Sequence, residues 1–312
     1  MQHDAAQQYI ARTSHPLKGR SKKTFRIVEP YLYLLPAFSM LILFTYYPFV
    51  QNAVLSFFTV NKFREIKEFA GFGNYVRVLT DRKFLQAIGN TFIYVLTTVP
   101  VSIVIGFALA LLARTHHKLS IAYEALFALS MAVSASVIAM IFQLAYNPSL
   151  GIINKLSGIP VSWLTNAQTA LLSLILIQIW SNIGYNFIFL FSALRGIGDE
   201  VLESAQMDGA VGRRMLSKIL IPLVSPTLLF LLVKDIAYAM TTASLTLILT
   251  TNNGATGQPG GATETVMSYI YGKAIIGTNY NAAFAATMVG FILSAILMAF
   301  SLILDKKKVS YD

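Results

Sequence analysis

Glu203-Ser-Ala-Gln-Met-Asp-Gly209, followed after nine residues by Ile219-Leu-Ile-Pro222, lies in a short polar stretch of mixed charge between two long apolar runs. That setting makes it a loop at a membrane surface, and the character of the flanking runs decides the fold. The chain has 312 residues, 55% of them hydrophobic and only 12% charged, with mean hydropathy +0.62. A soluble domain carries about a quarter charged residues. A shortfall of that size, gathered into long uncharged runs, marks an integral membrane protein.

A bilayer core about 30 Å thick needs roughly 20 apolar residues in a helix. Segments near 31–52, 88–113, 120–146, 168–194, 217–241 and 281–304 meet this requirement. They are continuously apolar rather than alternating, which selects helices over barrel strands. The expected fold class is therefore an all-α integral membrane protein with six transmembrane helices. Residues 1–27 read as a mobile cytoplasmic arm, 28–304 as the membrane domain with a loop at about 195–218, and 305–312 as a cytoplasmic tail.

Lysine and arginine placement orients the spans. With the N-terminus inside, fifteen fall on cytoplasmic segments and eight on outer loops. The exception is the first outer loop, about 51–87, which carries Lys62, Arg64, Lys67, Arg77, Arg82 and Lys83 interspersed with acidic residues. Net charge +10 is thus a matter of topology rather than of nucleic-acid binding. The basic, polar N-terminus is unlike a cleavable signal peptide. With no cysteine there is no disulfide framework and no thiolate metal site. A turn at Gly71–Tyr75 leads toward a short interfacial helix, and glycine-rich Asn252–Ala262 reads as a flexible outer loop.

Gly198 or Asp199 can start a helix, and Asp199, Glu200 and Glu203 favour its N-terminal end through the dipole. Leu202, Ala205 and Met207 form a compact apolar surface suited to a groove. Gly209 permits a sharp bend, and Pro222 stands near the start of the fifth span, where its missing N–H costs little. A capped amphipathic helix between two spans needs no more than this. The spacing, however, resembles the Glu-Ala-Ala loop of importer-type ABC permeases, with Ser204 and Ile221 the only substitutions and with Asp208, Ala210 and Leu223 also fitting.

The resemblance extends over nearly the whole chain, through Tyr31–Pro36, Tyr47-Pro48, Asn90-Thr91, Pro100, Tyr146–Pro148, Gly151–Asn154, Trp180 and Gly261–Thr263. It is to permeases of the carbohydrate-uptake type, of the maltose-F or glycerol-phosphate-A kind. It implies a type I importer fold in the inner membrane of a prokaryote, with both termini cytoplasmic. It also implies a second, different permease subunit, two ATPase subunits that carry ATP and Mg, and an extracytoplasmic solute-binding protein. On that reading Glu203, Ser204, Ala205, Asp208, Gly209, Ile219 and Pro222 couple the spans to the ATPase. Glu203 meets a basic residue there, while Ala205 and Gly209 allow close packing.

Polar groups within spans point to a path. Gln178, Asn182 and Asn186 recur every four residues, so their amides share one helix face, with Tyr185 adjoining. Such a face lines a hydrophilic route or bonds to neighbouring helices. Lys234 and Asp235 are an adjacent opposite-charge pair well inside the fifth run; they contact an anionic substrate, pair internally, or let the lysine snorkel outward. An ion-coupled secondary transporter using that pair is the alternative reading. Gln143 and Tyr146 are weaker candidates, and Glu124 reads as an interface charge. No Gly-x4-Gly-Lys-Ser/Thr loop and no HExxH pair among His3, His15, His116 and His117 occurs. The chain is accordingly expected to have no catalytic residue, metal or cofactor of its own.

Overall fold

The computed structural model describes residues 19–114, 120–158 and 160–305. It divides the chain into two compact units, the first ending at Val54 and the second beginning at Leu55. In the first, α1 (Gly19–Leu41) passes through a π turn at Ile42–Tyr46 into α2 (Tyr47–Leu55). The apolar part of this rod, from Pro30 onward, buries almost nothing within the chain, as suits a segment solvated by lipid. Its helix begins at Gly19, inside the expected arm; residues 1–18 and 306–312, with the expected tail, and His116, His117 and Lys118 lie outside the described residues.

The second unit opens with β1 (Phe58–Val60) and β2 (Ile66–Phe69), an antiparallel hairpin that the all-helical expectation omitted. Asn61 organises its turn, its Oδ1 accepting the N–H groups of Phe63 and Glu65. Then come α3 (Gly73–Thr80), α4 (Arg82–Arg114), α5 (Ser120–Ala132), α6 (Ala135–Ala145) and α7 (Ile152–Ser157). They are followed by α8 (Ala170–Arg195), α9 (Asp199–Met207), α10 (Arg213–Met215), α11 (Ile221–Thr241), α12 (Ser244–Leu249), α13 (Val266–Tyr271) and α14 (Tyr280–Asp305).

Among the described residues, five helical stretches are long and apolar enough to cross a membrane: Pro30–Leu55, Arg82–Arg114, Ala170–Arg195, Arg213–Leu249 and Tyr280–Ile303. The remaining expected segment, 120–146, is helical but broken at Val133–Ser134 into α5 and α6. The cause is local: Ser134 is extended (ψ 151°) and its hydroxyl accepts from the Val137 N–H, starting a new helix. Nor does the fifth span start beside Pro222. Helix runs from Arg213 through a π turn at Leu216–Leu220, in which the Ile221 N–H reaches the Leu216 carbonyl. Both this turn and Ile42–Tyr46 stand two residues before a proline (Pro222, Pro48), where a widened turn draws the preceding carbonyl away from the ring.

α4 and α8 run along each other, α11 crosses both, and α14 packs on α11 and α13. Their contacts form a column of three apolar clusters along α4. Phe84 and Ala87 meet Val266 and Tyr269 at one end. Tyr94, Val99, Leu174 and Ile177 occupy the middle. Ala110 and Ala113 meet Leu194, Leu202 and Val224 at the other end. Gly106 allows the closest approach: a Cβ there would come within 2.9 Å of the Asn186 Cβ and 3.2 Å of the Phe187 nitrogen.

The stretch Asn252–Ala262, expected to be flexible, is instead bound throughout. Gln258 N–H donates to Thr250 O, Thr263 N–H to Gly257 O, and Asn90 Nδ2 to the carbonyls of Gly261 and Glu264. Its glycines supply positive φ at 254, 257, 260 and 261, so they shape the loop rather than loosen it.

Candidate functional site

Two sites lie at different depths of the second unit. The first is α9. Gly198 is its N-cap and offers no side chain, while Asp199 and Glu200 occupy the first turn, where carboxylates favour the dipole. The far end closes in a Schellman motif: Gly209 N–H donates to Gln206 O at 2.9 Å and Ala210 N–H to Ala205 O at 2.8 Å. Gly209 sits at φ +77°, and a Cβ there would meet nothing within 4 Å. The backbone angle, not crowding, demands glycine. Gly212, at φ +56°, makes a second such bend into α10 that the sequence reading passed over.

The faces of α9 correct one expectation. Leu202 and Ala205 are buried, and Leu202 packs with Leu194, Leu220 and Ala113 of its own chain. They anchor the helix instead of offering a surface to another protein. What the helix presents is Glu203, Ser204, Asp208, Val201 and, 89% exposed, Met207. Ala205, expected to permit close packing with a partner, serves the internal anchor and the C-terminal cap. Pro222 is half-buried in α11, with Ile219 half-buried just before it in the π turn. One turn on, Pro226 cannot donate to the Pro222 carbonyl, and the Ser225 hydroxyl takes that acceptor at 2.7 Å.

The second site is a polar ladder on the inner face of α8. Gln178, Asn182 and Asn186 are all buried. Tyr94 OH donates to Gln178 Oε1 at 2.9 Å, and Gln178 Nε2 donates to Asn182 Oδ1 at 2.8 Å. Asn186 Nδ2 reaches Asp235 Oδ2 at 2.9 Å and Ser102 Oγ at 3.2 Å. Lys234 and Asp235 do form an ion pair, Nζ to Oδ1 at 2.9 Å, and the ammonium lies 3.4 Å from the centroid of the Tyr185 ring. Asp235 is wholly buried whereas Lys234 is 29% exposed, so the cluster is open on the lysine side alone.

The residues of the expected path therefore lie along a polar seam joining α4, α8 and α11 in two bonded sets, Tyr94–Gln178–Asn182 and Ser102–Asn186–Asp235–Lys234, with the Tyr185 ring against the Lys234 ammonium. Two amide atoms remain without partners, Asn182 Nδ2 and Asn186 Oδ1, a spare donor and a spare acceptor one helical turn apart. Tyr94, Ser102 and Gly106, which complete the seam, escaped the sequence reading. The signal was there in the small pair Ser102 and Gly106, four apart in an apolar run. Of the weaker candidates, Tyr146 is buried and bonds the Ser173 carbonyl at 3.3 Å. Glu124 pairs with Arg195 at 2.6 Å, tying α5 to the end of α8 beside α9.

Comparison with known proteins agrees with this architecture. Residues 82–310 match the family model described as binding-protein-dependent transport system inner membrane component. The probable ABC transporter permease protein YurN of Bacillus subtilis (strain 168) is 31% identical over 255 residues, 79% of this chain and 85% of that protein. The sn-glycerol-3-phosphate transport system permease protein UgpA of Agrobacterium fabrum is 28% identical over 287 residues, covering 91% and 97% of the two chains. Among solved structures, a chain of a bacterial alginate ABC transporter, in complex with its alginate pentasaccharide-bound periplasmic protein, superposes with TM-score 0.78. It is 23% identical, and the match covers 91% of this chain and 96% of that one.

Proposed function

The chain belongs to the family of binding-protein-dependent transport system inner membrane components, and from that premise we propose that it carries a sugar, oligosaccharide or polyol phosphate inward across the cytoplasmic membrane. It is the multi-pass permease component of an ABC importer. On our reading it pairs with a second, different permease, receives solute from an extracytoplasmic binding protein, and is driven by two ATPase subunits that hold the ATP and Mg. Both termini are then cytoplasmic, on the side of α9.

The observation that carries this reading is the construction of α9: a short helix capped at Gly209, fixed from beneath by Leu202 and Ala205, with Glu203 and Ser204 outward. A lever transmits force only if it is rigid and rooted. Displacement of α9 is passed to α8 and to the π turn that leads into α11, because Leu202 shares a buried cluster with Leu194 and Leu220. Those are the helices that hold the polar seam, so movement at one site opens the other. As the helices part, the amides of Gln178, Asn182 and Asn186, with Tyr185, Lys234 and Asp235, exchange internal bonds for solute hydroxyls or phosphate. The unpaired Asn182 donor and Asn186 acceptor are the first available. Exchange of this kind lets a hydrophilic solute cross without burying unpaired polar groups.

The test is uptake into vesicles holding the assembled transporter and its binding protein. Uptake is expected to require ATP inside and to be unaffected by ionophores. Uptake driven by an ion gradient without ATP would overturn the reading and return the Lys234–Asp235 pair to ion coupling.

A further inference from the structure

α4 is 33 residues long, about 50 Å at 1.5 Å per residue, so its first turn lies at the opposite end of the unit from α9. At that end a cavity of about 290 Å³ is walled by Asn74 and Arg77 of α3, Asp81, Tyr269 of α13, Lys273 and Asn281. None of these residues serves the coupling helix or the polar seam.

The wall is net positive. Asp81 is already engaged, its Oδ2 accepting from the Tyr269 hydroxyl at 2.7 Å and from Lys273 Nζ at 3.4 Å, and its Oδ1 from the Lys83 N–H at 2.9 Å. Lys273 also lies 4.9 Å from the Tyr269 ring centroid. Arg77 is exposed and has no ion-pair partner among the described residues. Asn74, 1% exposed, spends its Nδ2 on the carbonyls of Ser56 (3.0 Å) and Phe58 (2.9 Å), leaving its buried Oδ1 without a donor. The cavity thus offers a guanidinium without an ion pair and a second cation.

Its surroundings indicate where the occupant comes from. α4 begins at Arg82 and α14 at Tyr280, so the mouth is level with the ends of two membrane helices. Phe72, Val76 and Leu79 stand exposed on and beside α3, and Phe63 and Phe69 on the hairpin. Apolar side chains among Lys62, Lys67, Arg77 and Arg82 are the composition of an element lying in the headgroup layer. The basic first loop, anomalous for a segment on the side away from α9, then has a physical purpose.

We propose that this cavity binds a phosphate group, held by Arg77 and Lys273. Guanidinium suits the task because its planar donors match a phosphate bidentately. An anionic phospholipid headgroup and a free phosphate share this chemistry.

The assembled transporter, wild type and with Arg77→Gln, Arg77→Lys or Lys273→Gln, is placed in nanodiscs of mixed phosphatidylglycerol and phosphatidylcholine. Lipid retained after transfer to detergent is counted by native mass spectrometry. In parallel, discs of phosphatidylcholine alone are titrated calorimetrically with inorganic phosphate. The wild type is expected to retain phosphatidylglycerol preferentially, with the preference falling about tenfold in Arg77→Gln, as for loss of one charge-assisted bond. Arg77→Lys, which keeps the charge without the paired donors, restores it only in part. Phosphate binding in the second arm that Arg77→Gln abolishes identifies the free ion as occupant. The proposal is overturned if the wild type holds neither, or if Arg77→Gln and Lys273→Gln, assembled normally, hold either one as well as wild type. Arg77, exposed and without an ion pair, leaves little in the fold to disturb.

Discussion

α9 and the polar seam of α8 are only a few turns apart along the chain, yet they are built on opposite plans. α9 is closed by its own backbone: the cap at Gly209 is made within five residues, and its outward side chains are exposed. The seam is closed by distant partners, Tyr94 and Ser102 lying 84 residues from Gln178 and Asn186, and Asp235 lying 49 from Asn186. A region complete in itself can be displaced as a body. A region completed by its neighbours changes when they move. Joined through Leu202, Leu194 and Leu220, the two form a lever and the thing it opens.

The comparison breaks most sharply at Gly209. Gly209→Trp places a non-glycine residue at φ +77°, which costs about 1–2 kcal/mol locally. It is expected to bring ATP-driven uptake to background while the protein still inserts and assembles. Because the cost lies in the angle, Gly209→Asn should retain more uptake than Gly209→Ala, Asn being the side chain that tolerates this region. Equal uptake by Gly209→Trp and wild type would remove the lever. Asp235→Ala takes the opposite member: it strips Asn186 and Lys234 of a shared, wholly buried acceptor. It should lower stability in detergent by about 2 kcal/mol, read as a fall in Tm, because the buried Asn186 amide loses its acceptor while the partly exposed Lys234 can turn to solvent.

Leu202→Ala sharpens the joint between the two. Truncation of this buried anchor costs about 2 kcal/mol. It should loosen coupling, so that ATP is hydrolysed with less uptake per turnover. Glu203→Lys, on the exposed face one residue on, should leave Tm unchanged and depress uptake, since like charge would meet the basic ATPase surface proposed for it.

The smallest effect is at the far end. Burial raises the pKa of Asp81, but hydrogen bonds from Tyr269, the Lys83 N–H and Lys273, with the charge of the last, bring it below its ordinary 3.8. Its stabilisation is therefore present above that value and lost as pH falls through the folded pKa. Glu264 is opposite: burial outweighs hydrogen bonds from Thr256 and Ser268, so its pKa is raised above 4.5. Its contribution is full below 4.5 and lost as pH rises through the folded value. Tyr269→Phe should flatten the acid-side loss of Tm below about pH 4 and leave the other limb alone.

Local features were legible in advance. Apolar runs located the membrane segments, and the spacing Glu203–Gly209–Pro222 located α9 and its bend, because length, polarity and a glycine's φ are properties of nearby residues. Other features needed the folded chain. Which face of α9 is anchor was not readable, since Leu202 and Met207 are equally apolar until α4 and α11 cover one of them. The break at Ser134 depends on a single hydroxyl choosing its own backbone. The glycines at 254–261 resemble slack in the sequence and act as shape in the structure.

By itself, then, the sequence determined the solvent of this protein, its run of helices and the place of its lever, all of which follow from composition and short-range geometry. Only the tertiary structure decided that Tyr94 meets Gln178, that Ser102, Asn186 and Asp235 meet, that Lys234 finds both Asp235 and Tyr185, and that Arg77 and Lys273 share a cavity. The physical reason is that a buried polar group takes whatever partner helix packing brings within 3 Å, and packing is a property of the whole chain.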